Sequence, residues 1–167
     1  MELLTKIFGS GARLKTLRLF LFNQDTGFTL TEVAERTKLT KEAARRELTE
    51  LLAAGLLRKK GAQAPARYQT NPRFEHLGAL DTFIRESTSV RPQKIIAALK
   101  RAGALRLVAL SGHFTGILEP QIDLLVVGDH LEDRTLASSV RSLEAELGRE
   151  IRYASFATAD FRYRLGV

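Results

Sequence analysis

The sequence predicts an α+β fold in two parts. A mostly helical first half closes in a hairpin, and a small α/β layer follows it. Three observations predict this. Apolar residues recur at helical spacing through residues 13–54. Two short extended arms flank a Gly/Ala/Pro tip within residues 56–70. In the second half, helical patterns alternate with the short apolar runs Leu105–Leu110 and Ile122–Val127. The 167 residues suffice for two small domains. The expected division is 1–72 for the first, 73–90 for a linker or dimerisation helix, and 91–167 for the second.

In the first half, Leu14, Leu17, Phe20 and Leu21 mark a helix over Arg13–Phe22, with Lys15 and Arg18 on another face. Asn23–Gly27 reads as a loop. Thr29 and Glu32 then have the spacing of a capping box, in which hydroxyl and carboxylate satisfy the free amides of a helix start. Leu30, Val33 and Ala34 give this second helix its apolar face. After the turn Arg36–Thr40, Thr40 can cap a third helix over Lys41–Ala54. Its inner stripe is Ala44, Leu48, Leu51 and Leu52, and Gly55 ends it.

The other side of that third helix carries Glu42, Arg45, Arg46 and Thr49 at i, i+3, i+4 and i+7. Two short helices joined by a tight turn, the second presenting cations near its start, suit the DNA major groove. There an arginine can donate two hydrogen bonds to guanine. The hairpin adds Arg58, Lys59, Lys60 and Arg67 with no acid between residues 56 and 70. Such a strip suits phosphates. In this order the elements read as a winged helix, with Thr40, Lys41, Glu42, Arg45, Arg46 and Thr49 on the reading helix and the four hairpin cations on the backbone.

Ile7-Phe-Gly-Ser-Gly-Ala-Arg-Leu14, Phe28-Thr-Leu-Thr-Glu-Val-Ala34, Arg45-Arg-Glu-Leu48 and Ala54-Gly-Leu-Leu-Arg58 together resemble the winged helix-turn-helix of small prokaryotic transcription regulators over residues 5–72. The resemblance implies binding to double-stranded DNA, as a homodimer on a two-fold site. Phe8–Arg13 also mimics the FGSxAR signature of nucleotidyltransferases. The paired acids those enzymes need about ten residues further on are missing, so the segment reads as a turn opening the first helix.

Phe74, Leu77, Leu80 and Ile84, with Phe83 beside them, form a further helical stripe, suited to its own domain or to a second copy. Ser87–Pro92 breaks the pattern and marks the boundary. A helix over Gln93–Arg101, the strand Leu105–Leu110, the strand Ile122–Val127, a helix over Glu132–Leu147, a strand over Glu150–Phe156 and a terminal turn over Asp160–Leu165 complete the reading.

The strand, glycine turn and Ile122-Asp-Leu-Leu-Val-Val-Gly-Asp129 resemble the minimal nucleotidyltransferases. Two magnesium ions about 3.5–4 Å apart would need several carboxylates. Gly112 keeps the family's turn, but His113 stands where a phosphate-binding serine belongs, Gln121 replaces the first acid, and only Asp123 matches. The connecting loop has seven residues between His113 and Gln121, and the third strand offers Arg152 and Tyr153 with Glu150 just before it. Gly112, His113, Gln121 and Asp123 therefore read as a vestigial nucleotide site in an inactive domain used for dimerisation, effector or partner binding. No metal and no cofactor is expected. The competing reading is a magnesium-dependent nucleotidyltransferase acting on a protein or small molecule. The resemblance also leads us to expect further sequence beyond Phe161–Arg164.

Composition narrows the partners. The formal net charge is +7, and residues 1–90 hold 15 Lys/Arg against 10 Asp/Glu. There are no cysteines, which excludes disulfides, thiolate metal sites and cysteine nucleophiles. No apolar run approaches a membrane span. A cytoplasmic regulator with no membrane partner is the expectation, with a nucleotide or protein as effector.

Overall fold

The computed structural model describes residues 3–61, 64–88, 91–115 and 121–166. Among them it is α+β, with eight α-helices and two three-stranded sheets. The chain divides into two compact units, Met1–Ser89 with Glu144–Arg149, and Val90–Leu143 with Glu150–Val167.

The first unit opens with α1 (Leu3–Ile7) and α2 (Gly11–Phe22). Ser10 starts α2 by accepting the Arg13 amide. The helix is the unit's centre, with Leu14, Leu17, Leu19, Phe20 and Leu21 all buried. Arg18, expected on a polar face, is only 3 % exposed. Its guanidinium donates to the Glu146 carbonyl at 2.9 Å and to the Thr88 hydroxyl at 3.1 Å, so the buried charge is hydrogen-bonded. Gly148 meets the same helix, and a Cβ there would lie 2.5 Å from the Arg18 carbonyl carbon.

The expected capping box is present. Thr29 accepts the Glu32 amide while Glu32 accepts the Thr29 amide at 2.7 Å, starting α3 (Leu30–Thr37). Lys38, in the left-handed region at φ 52°, ends that helix. Two residues later the Thr40 hydroxyl accepts the Ala43 amide and starts α4 (Lys41–Ala53). Gly55, at φ 77°, turns the chain out of α4 where a side chain would be strained. Ala44, Leu48 and Leu51 are buried from α4, and Leu52 is half-buried. They join Val33, Ala34 and the α2 leucines in one core, where each fully buried large side chain contributes roughly 1.5–3 kcal/mol.

The hairpin is β2 (Leu57–Lys60) against β3 (Arg67–Thr70), with Leu57 opposite Thr70 and Lys60 opposite Arg67. Residues 62–63 of its expected Gly/Ala/Pro tip lie outside the described residues. A two-residue strand, β1 (Phe28–Thr29), pairs with the far side of β3, giving the order β1-β3-β2. The segment read as a separate linker instead belongs to this unit. Within α5 (Leu77–Ser87) Ile84 is fully buried, and Phe74, Leu77 and Leu80 pack against the same core. The stripe is thus consumed inside the unit, leaving Phe83 44 % exposed.

The second unit runs α6 (Pro92–Leu99), β4 (Ala104–Leu110), β5 (Leu124–Asp129), α7 (Asp133–Leu147, whose residues from Glu144 on belong to the first unit), β6 (Tyr153–Ala157) and α8 (Thr158–Leu165). The sheet order is β4-β5-β6, with β4 antiparallel and β6 parallel to β5. Leu124, Val126, Leu136, Val140, Ile95 and Leu99 are buried. The second strand starts two residues later than expected because Ile122 and Asp123 precede the ladder. Glu132 precedes α7, and the Thr135 hydroxyl first, then the Thr135 amide donating at 3.0 Å, hold its carboxyl below the usual range.

Candidate functional site

The α4 surface and the hairpin collect most of the expected contact residues. Thr40, Lys41, Glu42, Arg45, Arg46 and Thr49 are all exposed. Helical spacing puts Glu42, Arg45, Arg46 and Thr49 on one side of α4, opposite the buried Ala44–Leu48–Leu51 stripe. Lys41, Arg45 and Arg46 have no ion pair among the described residues. Glu42 lies in the first turn, where a carboxylate favours the helix dipole. The two hydroxyls are partly committed. Thr40 accepts from Ala43 and keeps its proton to donate, whereas Thr49 donates to the Arg45 carbonyl at 2.9 Å and keeps only acceptor capacity.

Below this surface, one charge holds α4 in place. Glu47 is 2 % exposed, and its Oε2 accepts from Arg13 Nε at 2.9 Å. Its Oε1 faces the Ser10 hydroxyl at 3.5 Å. The pair ties α4 to the start of α2, across 34 residues of chain. Its spacing of three from Ala44 and four from Leu51 puts Glu47 beside the buried stripe, unlike Glu42 and Glu50, but its partner Arg13 is not marked by any local signal.

The hairpin cations divide by role. Arg58, Lys59 and Lys60 are exposed and have no ion pair among the described residues. Arg67 is committed elsewhere. Its guanidinium donates to the Gly27 carbonyl at 2.6 Å and to Glu32 at 3.3 Å. It therefore fastens β3 to the capping box of α3. The Thr29 amide first, then the Thr29 hydroxyl and the Arg67 charge, hold the Glu32 carboxyl below its usual range despite its partial desolvation. That lock was missed in the sequence, because Arg67 and Glu32 are 35 positions apart.

Of the residues expected to form a vestigial nucleotide site, Asp123 has a structural use. Asp123 is fully buried and accepts both the Arg152 amide at 3.0 Å and Arg152 Nε at 3.2 Å. Its own amide donates to the Arg152 carbonyl at 2.7 Å. The one matching carboxylate thus staples the start of β5 to the approach of β6, and is hydrogen-bonded by protein rather than open to a metal. Gly112 is buried at the head of a single 3₁₀ turn, Gly112–Phe114, that includes His113, and Gln121 is exposed. Residues 116–120 of the expected loop lie outside the described residues. Among the described residues no three His, Asp or Glu side chains group as a metal site.

A family model, ethanolamine utilization protein EutK C-terminus, matches residues 19–69. The stretch runs from the end of α2 through α3, α4 and the hairpin. No curated protein and no solved structure matches the chain. These findings correct the resemblance drawn from the sequence. Residues 19–69 are similar to the EutK C-terminus rather than to the prokaryotic winged helix-turn-helix regulators, and no match links residues 91–167 to the nucleotidyltransferases. The glycine turn and apolar strand that suggested the latter family occur in many small α/β layers, and the decisive carboxylate is spent on Arg152.

Proposed function

We propose that the first unit binds double-stranded DNA, with α4 entering the major groove and the β2–β3 hairpin lying against the backbone. The observation that carries this reading is the set of exposed cations without ion-pair partners among the described residues. They are Lys41, Arg45 and Arg46 on α4, and Arg58, Lys59 and Lys60 on the hairpin. In the same unit Arg13, Lys15 and Arg85, and Arg67 on the hairpin itself, are paired with acids, while Lys6 and Arg73 are exposed cations without an ion pair among the described residues. Unpaired cations on one helix and one hairpin suit a polyanion, because their charge is not already neutralised.

Arg45 and Arg46 would read or clamp base edges, Glu42 would accept from a cytosine amino group, and the Thr40 hydroxyl and Lys41 would fix the helix start on phosphate. Arg67 would serve indirectly, by holding the hairpin to α3. The protein would work as a cytoplasmic homodimer that regulates transcription and catalyses no reaction, with the second unit used for effector or partner contact. Exposed Phe83 on α5 is available to a second copy. No helix among the described residues is long and apolar enough to cross a membrane. The similarity of residues 19–69 to an ethanolamine utilization protein favours one second reading, a protein-contact module serving such a system.

Selection from a random duplex pool separates the two. DNA binding predicts recovery of a defined site, and Arg45→Ala then costs roughly 1–3 kcal/mol and relaxes the preference at one base position. Recovery of no site, together with failure to shift any duplex, would leave the protein-contact reading standing. Equal weakening of Arg45→Ala on every sequence would remove its base-reading role.

A further inference from the structure

The second unit has a groove with a mixed lining that the DNA reading does not use. Between α8 and the β4–β5 strands lies a cavity of about 660 Å³, lined by Arg106, Leu107, Val127, Phe161, Arg162 and Leu165, with Thr158 at one side. An adjoining space of about 520 Å³ shares Arg106, Thr158 and Arg162 and adds Asp129. Volumes of this size suit a small molecule.

Two features make the groove chemically specific. Neighbours on a strand ordinarily point to opposite faces, yet Arg106 and Leu107 line the same cavity. The register between β4 and β5 shifts between Leu105 and Leu107, and a bulge of that kind re-aims a side chain. Arg106 consequently donates to Asp129 Oδ2 at 2.9 Å, which neutralises that carboxylate. Arg162 has no side-chain partner among the described residues. The groove therefore carries one uncompensated positive charge beside an apolar wall, on which Leu107 is 42 % and Leu165 61 % exposed.

We propose that this groove binds a small organic monoanion with an apolar body, a short acyl or aryl carboxylate. Its carboxylate would lie on Arg162, within reach of Arg106. Its body would cover Leu107, Phe161 and Leu165. Free phosphate and nucleotides fit poorly, because Asp129 stands beside the cations and most of the lining has no donor. A neutral hydrocarbon would leave Arg162 unused. A carboxylate accepts the guanidinium's two parallel N–H bonds, so charge and shape select the same ligand class. The site lies wholly within the second unit, so its test does not depend on DNA binding.

The experiment is an NMR titration of the full chain with sodium hexanoate, hexanol, acetate and inorganic phosphate. Hexanoate is expected to shift the amides of residues 106–107, 127–129 and 158–165, and to bind at least about tenfold more tightly than hexanol or acetate, a difference of about 1.4 kcal/mol. Arg162→Gln should abolish the advantage of hexanoate over hexanol. Leu165→Ala, at an exposed helix end, should weaken hexanoate and leave acetate unchanged. Circular dichroism matching the unsubstituted chain establishes that both variants are folded. Phosphate or acetate binding as well as hexanoate, no binding by any probe, or hexanoate affinity unchanged in folded Arg162→Gln would each overturn the proposal.

Discussion

Arg13→Ala should destabilise the first unit far more than the loss of a surface cation, and Glu47 is the reason. The Glu47 side chain is 3 % exposed, and its Oε2 lies 2.9 Å from Arg13 Nε. Removing Arg13 leaves a buried carboxylate with only the Ser10 hydroxyl at 3.5 Å. Breaking a fully buried pair by removing one partner costs roughly 3–5 kcal/mol. Arg13 is itself 35 % exposed, so water can enter the vacated space and the expected cost falls to about 2–3 kcal/mol. Glu47→Gln should cost less, about 1 kcal/mol, because the orphaned guanidinium can turn to solvent. Replacing both, Arg13→Met with Glu47→Leu, should recover most of the loss, since apolar packing can substitute for an ion pair. Urea titrations of all variants by circular dichroism, with amide exchange along α4, measure this. A cost for Arg13→Ala below about 0.5 kcal/mol, the size of an exposed pair, would refute the reasoning. So would a double variant Arg13→Ala with Glu47→Gln whose cost equals the sum of the two single costs.

Two further outcomes follow from the same geometry. The Glu32 carboxyl is held below its unfolded value near 4.5 by Thr29 and Arg67. Its contribution to stability is complete above that value and is lost as pH falls through the lower folded value. Glu32→Gln should therefore lower stability at pH 7 and make the acid limb of a pH–stability curve shallower; an unchanged limb would count against the lock. In the second unit, Asp123→Ala leaves the Arg152 amide without its carboxylate partner and should cost roughly 1–3 kcal/mol. Asp123→Asn, which keeps an acceptor oxygen, should cost less. Thermal unfolding that ranks the two variants the other way round would contradict the staple.

What the sequence made legible was whatever depends on neighbours. Thr29 and Glu32 are three residues apart, so their reciprocal cap could be read directly, as could Thr40 as the cap of α4. The buried stripe Ala44–Leu48–Leu51 and the exposed Glu42–Arg45–Arg46–Thr49 follow from helical period alone. What was illegible depends on pairs far apart in the chain. Arg18 looks like any surface arginine until Thr88 and Glu146 close over it, 70 and 128 positions away. Arg67 reads as a free hairpin cation, although Glu32 and Gly27 occupy it. Arg106 is aimed by a bulge that leaves no mark in composition. Asp123 was legible as a buried acid, placed on a strand it in fact precedes, but its partner on the approach to β6 was not, and that partner decides whether the carboxylate holds a metal or the backbone.

The central claim is that unpaired cations on α4 and the hairpin hold a nucleic-acid duplex. The most direct test is the salt dependence of affinity for a labelled duplex, measured by fluorescence anisotropy between about 50 and 200 mM salt. Each phosphate neutralised contributes roughly 0.9 to the log–log slope, so replacing Lys59 and Lys60 together by alanine should flatten it by about 1.8. Arg67→Ala, whose charge is already paired, should change the slope less than Lys60→Ala does. A slope that the double lysine substitution leaves unchanged, or the absence of binding at the lowest salt, would contradict the account.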